Sequence, residues 1–100
     1  MTMEPINKDG KVLVRTWGAG VHFGTLHSED HKRVVLIDCR RIWSWDGANT
    51  LHELSQYGLK HTSKVSVAIP TITLTDAVEL IPCSDKAVRT IETCGWGQPL

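Results

Sequence analysis

The side chains best suited to recognition are concentrated in one run, Arg40-Arg41-Ile42-Trp43-Ser44-Trp45. A guanidinium forks onto carboxylates and phosphates and lies flat on aromatic rings, and an indole offers a broad π face. On an unbroken strand over 33–45, Val35, Ile37, Cys39, Arg41, Trp43 and Trp45 share one face. Val34, Leu36, Asp38, Arg40, Ile42 and Ser44 share the other. Arg41 then stands among aromatics, where stacking is worth about 0.5–2 kcal/mol, more when dry.

Three uses of this run follow. In the first, Trp43 and Trp45 close the core beneath a helix, and Arg40 and Arg41 pair with Asp38 or Asp46. In the second, Arg40, Arg41, Trp43 and Trp45 form a ligand-binding pocket, with an arginine holding an anion and an indole stacking a planar ring. In the third, the run sits at a subunit interface, whose centres favour Trp and Arg.

Other chemistry finds little support. Cys39, Cys83 and Cys94 are widely spaced, with no CxxC and no Cys/His pairing at zinc-ligand spacing. They read as free buried thiols. His22 and His27 differ in strand parity, and His31 completes no metal geometry, so neither a metal nor a cofactor is expected. No neighbour in sequence makes Cys39 half of a Cys–His dyad; His52 reaches it only through the fold. "GAGVHFG" lacks the GxGxxG register and no helix follows it, so its backbone cannot cradle a phosphate at a helix start. No catalytic residue emerges, and the chain reads as a non-enzyme.

The elements that must position the run follow from periodicity. "KVLVRTW" alternates as a strand, "GAG" at 18–20 breaks it, and "VHFGTLH" resumes. Residues 28–32 form a polar hairpin connection. The stretch 33–45 suits a central strand, bent or ended near Arg40–Arg41. After Asp46-Gly47 the period changes. Thr50 and Glu53 make a capping box, with a helix over 50–57 closed by Gly58. "VSVAIPTITLT" alternates again with Pro70 marking an edge or a break, and "DAVELIP" is a further strand. Ser84 caps a second helix over 85–93, ended by Gly95. The order β-β-β-α-β-β-α predicts an α+β fold: a curved, mainly antiparallel sheet of about five strands, open or closed into a barrel-like form, with two short helices.

One hundred residues suit a single domain over 1–100, with 1–10 as a polar lead-in. Eleven basic residues balance eleven acidic ones, which argues against binding nucleic acid by charge alone. No apolar run approaches the ~20 residues of a membrane span. The polar beginning predicts no signal peptide, and with it an intracellular protein.

Several segments together resemble a family of small uncharacterised proteins of tailed bacteriophages and prophages. They are "LVRTWGAGVHFGTL", "RRIWSWDGANTLHEL", the Pro70–Cys83 run and Gly95-Trp96. The likeness covers roughly residues 12–96; Cys39 stands where that pattern has a small residue. It implies a viral origin, and it transfers no activity residue by residue. The leading expectation is a phage-encoded accessory protein in the host cytoplasm. It would bind or sequester a host protein or a nucleotide-type defence signal. The alternative is a structural or assembly component of the virion. Under both, the chain is expected to be a homo-oligomer, through β-edges at residues 12–17 or 64–73.

Overall fold

Alternating apolar residues build six strands. In the computed structural model, residues 10–95 are described. Most of the polar lead-in and Trp96 of the Gly95-Trp96 pair lie outside them. The strands are β1 (Lys11–Thr16), β2 (Val21–Asp30), β3 (Arg33–Ser44), β4 (Lys64–Val65), β5 (Ile69–Leu74) and β6 (Ala77–Pro82). The helices are α1 (Leu51–Tyr57) and α2 (Asp85–Glu92). All pairings are antiparallel, in the order β4-β3-β2-β1-β6, and β5 also pairs with β3. The α+β architecture expected from the pattern is the one found. The expected strand over 65–75 is divided at Ser66–Ala68 into β4 and β5, which share one edge of β3.

The sheet curls because β5 and β6 lie on opposite edges yet are joined only by Thr75 and Asp76. The Ala77 N–H donates to the Lys32 carbonyl at 3.0 Å, and the Trp17 N–H donates to the Asp76 carbonyl at 3.1 Å. The tip of the β2–β3 hairpin is thereby drawn against the start of β6. No β5–β6 ladder closes the curl among the described residues, so the sheet is not a closed barrel.

Both faces are apolar. The inner, concave face buries Val12, Val14, Leu26, Val34, Leu36, Cys39 and Leu74. The outer face buries Leu13, Phe23, Ile42 and Val65 against Leu54, Leu59, Ile91 and Cys94 of the helical layer. Thr50 caps α1 by accepting from the Glu53 N–H, and Gly58 closes it at φ 86°. Ser84 caps α2 by accepting from the Ala87 N–H at 3.1 Å. That helix ends at Thr93, in right-handed conformation, rather than through a left-handed Gly95.

β1 is interior, paired on both sides, so residues 12–17 are no edge as had been expected. The exposed edges belong to β4, β5 and β6. Pro70 sits in β5, where its missing N–H costs no ladder bond because β5 pairs with β3 alone.

Candidate functional site

One residue decides how the Arg/Trp run is presented. Asp38 takes φ 53°, a left-handed conformation rare for a non-glycine residue, and sits where the β2–β3 register slips. Phe23 faces Arg40 and Thr25 faces Ile37, so Gly24 alone opposes Asp38 and Cys39. This is a β-bulge. Gly24 permits it: a Cβ there would lie 3.1 Å from the Ile37 carbonyl and 3.1 Å from the Leu36 Cβ. Beyond the bulge the side-chain parity is reversed. Val34 and Leu36 share the inner face with Cys39 and Arg41, and Arg40 and Ile42 face the helices. The two-face division of an unbroken strand therefore holds only on either side of Asp38.

Arg40 is 5% exposed and turned toward α2. Its Nη1 donates to the Ile91 carbonyl at 2.7 Å and to that of Glu92 at 3.3 Å. Its Nη2 donates to Cys94 at 3.0 Å and to Val65 at 3.4 Å, and its Nε donates to Ser66 at 2.7 Å, all to carbonyls. A cation at a helix C-terminus meets the negative end of the dipole and supplies donors to carbonyls that lack them. Burial lowers its pKa, while Cys94 and Glu92 oppose that shift. Arg40, read in the sequence as a recognition residue, is committed to its own chain.

Arg41 takes the other direction. It is exposed, and among the described residues no carboxylate lies within ion-pair distance of it. It forms the lip of an open cleft of about 220 Å³, together with His22, Cys39, Ser66, Val67, Ile69 and Ile72. Its strand position is fixed by two bonds to Ser66: Arg41 N–H to Ser66 Oγ at 2.7 Å, and Ser66 N–H to the Arg41 carbonyl at 2.8 Å. Neither Asp38 nor Asp46 pairs with it; Asp46 instead accepts from Thr62 Oγ1 at 2.9 Å.

The tryptophans divide similarly. Trp45 is partly buried against the outer core, and its indole N–H donates to the Ala48 carbonyl at 3.2 Å, pinning the turn before α1. Trp43 is 67% exposed and lies between Ile42 and Ser44, where the β3–β4 register slips. Trp17, in the β1–β2 turn at the same end of the sheet, is 85% exposed. The one cation–π contact among the described residues is Lys86 over Tyr57, 5.9 Å from the ring centre. Arg41 and Trp43 are thus neighbours that do not stack on each other.

The floor of the cleft holds a pair that the spacing of residues concealed. Cys39 Sγ lies 3.8 Å from His22 Nδ1. His22 Nε2 is 2.9 Å from the Ala19 carbonyl, which can only accept, so Nε2 carries the hydrogen and Nδ1 presents its lone pair to the thiol. The Ala19 carbonyl is itself placed by a tight turn in which Thr16 Oγ1 accepts from the Ala19 N–H and donates to the Gly20 carbonyl. Burial lowers the His22 pKa, the Ala19 bond raises it, and the Arg41 charge lowers it. Burial pushes the Cys39 thiol up to about 11, against a smaller pull downward from Arg41. Both shifts favour the uncharged forms, a thiol beside a neutral imidazole. His52, the partner considered from sequence, is exposed on α1.

A second cleft, of about 260 Å³, opens on the outer face between Lys11, Phe23, Asp38, Arg40, Ala68 and Glu92. Lys11 and Glu92 pair across it at 3.3 Å, so its charges are largely matched internally. No cluster of three or more metal-ligating side chains occurs among the described residues. No helix among them is long and apolar enough to cross a membrane.

No curated protein and no solved structure matches the chain. One family model does match, over residues 9–91. Because that span covers most of the sequence, the chain belongs to the family described as a domain of unknown function, DUF6948.

Proposed function

We propose that this domain is a phage-encoded, non-enzymatic accessory protein of the host cytoplasm that binds a nucleotide-type small molecule at the Arg41 cleft. The observation that carries this reading is the pairing of an exposed guanidinium, without an ion pair among the described residues, with a largely apolar cleft and an exposed indole two residues away. Arg41 is the charge that both His22 and Cys39 feel, so the cleft has a positive field suited to an anion. Its volume falls below the about 300–1,000 Å³ of a typical small-molecule site, so it takes one group of a larger ligand. A phosphate on Arg41 leaves a base free to lie on Trp43. Burial pushes the Cys39 thiol up, which supports sequestration rather than covalent catalysis.

Isothermal titration against cyclic and linear nucleotides tests this. Binding that is lost in Arg41→Ala is expected; no heat with any of them, and no quenching of tryptophan fluorescence, removes the reading.

A second reading, a self-associating structural or assembly component of the phage particle, is favoured by Trp17, Trp43, Val67 and Ile69, all exposed, and by the open edges of β5 and β6. Mass spectrometry of purified virions and light scattering at micromolar concentration test it. Absence from the particle excludes a virion role, and a monomer mass excludes self-association.

A further inference from the structure

We infer that Cys39 and His22 form a binding site for one soft monovalent d¹⁰ metal ion, copper(I) in the cell. This goes beyond nucleotide binding and does not depend on it.

Three features of the geometry argue for it. First, the two donors are spaced for one ion. At zinc-like bond lengths of roughly 2.3 Å to sulfur and 2.0–2.1 Å to nitrogen, a separation of 3.8 Å gives an angle of about 120° at the metal, and the near-linear geometry that two-coordinate d¹⁰ ions favour needs the donors only about half an ångström further apart. That leaves at least one coordination position open toward the cleft. Second, the imidazole is already in its ligating form. Its Nε2–H is anchored on the Ala19 carbonyl, the arrangement by which proteins fix the tautomer and orientation of a metal-binding histidine. Nδ1 therefore offers its lone pair and need shed no proton. Third, the surrounding wall is Val67, Ile69 and Ile72, which suits a weakly hydrated soft ion better than a hard one.

Arg41 selects the charge. Binding replaces one proton: the Cys39 S–H bond breaks, the proton leaves to solvent, and a sulfur–metal bond forms with no change of oxidation state. A monovalent ion on a thiolate is neutral and meets no repulsion from the guanidinium at the lip. A divalent ion leaves a net positive charge beside Arg41, so zinc is disfavoured. The same guanidinium steadies the thiolate that metal binding creates.

Silver(I) nitrate in chloride-free buffer is a redox-stable probe. Wild-type protein, with uniform ¹⁵N labelling, is titrated and followed by native mass spectrometry and by the side-chain resonances of His22. The expected result is one silver per chain at one equivalent, with the Nδ1 resonance losing its free-lone-pair position while the Nε2–H signal persists. Cys39→Ser and His22→Asn each weaken binding by at least about tenfold, and Cys83→Ser leaves it unchanged. An unmoved Nδ1 resonance at one equivalent overturns the assignment, whether or not the variants fold. So does unchanged affinity in folded Cys39→Ser.

Discussion

Arg40 and Arg41, adjacent in sequence, serve opposite faces of one sheet. Arg40 donates to the carbonyls of Ile91 and Cys94 at the end of α2, and Arg41 stands at the lip of the inner-face cleft opposite His22. The first is an internal cross-link between the sheet and the helical layer. The second is exposed to solvent.

Substitution separates these roles. Arg40→Ala strips donors from several buried carbonyls and is expected to cost about 3–5 kcal/mol in urea unfolding. Arg41→Ala, at an exposed position without an ion pair among the described residues, should stay within about 0.5 kcal/mol of the parent.

The bulge at Asp38 sets this division, and Gly24 tolerates no side chain beneath it. Gly24→Ala forces contacts of 3.1 Å with a backbone carbonyl and the Leu36 Cβ. The expected cost is about 1–3 kcal/mol by the same urea measurement. An unchanged midpoint would mean the bulge is looser than described.

Gly58 is constrained twice, by φ 86° and by Thr90, whose side chain a Cβ at Gly58 would overlap. Gly58→Ala should destabilise the α1–α2 packing. Adding Thr90→Ala should recover only part of the loss, because φ 86° with ψ −167° is a region essentially reserved for glycine and its strain of about 1–3 kcal/mol stays. Full recovery in the double variant would assign the whole cost to the clash.

These results also mark how far the sequence was legible. Most strand positions were readable from alternation and β-branched content, but Ser28–Asp30, read as part of a polar connection, continue β2, and the strand read over 65–75 is divided. Both helices were readable from the caps at Thr50 and Ser84 and from the stop at Gly58. The parity reversal was not, because Asp38 lies inside a run of β-forming residues and nothing local announces a left-handed conformation there. Arg41 and Trp43 are exposed, while Arg40 is drawn into the fold by carbonyls distant in sequence, and Trp45 by the outer core and the nearby Ala48 carbonyl. The His22–Cys39 pair escaped notice because the two residues are 17 apart and meet only through the β2–β3 register. A glycine facing the middle of a long strand was the one available clue.

Acid should destabilise the metal-free protein through His22. Its pKa is lowered in the folded state, so the unfolded chain binds more protons as pH falls below the ordinary 6.5. Stability is full above that pH and declines below it, by up to about 1.4 kcal/mol per pH unit until the folded value is reached. Thermal unfolding in chelator between pH 7.5 and 5 should show a shallower decline in His22→Asn.

Alkali should act through the thiols of Cys39, which is buried, and Cys83, which is half-buried rather than buried as its residue type suggests, in the opposite sense. Cys39 is raised to about 11 and Cys83 to about 12 from an ordinary value of 9.0. Above pH 9 the unfolded thiols ionise first, so stability falls as pH rises toward those folded values. The slope is about 1.4 kcal/mol per pH unit for each thiol. Cys83→Ser should halve the slope; an equal slope would mean that the Cys83 thiol is not shifted on folding.

Whether Arg41, and not Arg40, faces the ligand is tested most directly by NMR of the arginine Nε–H and tryptophan indole N–H signals during nucleotide titration. The Arg41 and Trp43 signals should move in a saturable manner while those of Arg40 and Trp45 stay fixed. Four unmoved signals with every nucleotide tried, or movement confined to Arg40 and Trp45, would contradict the account.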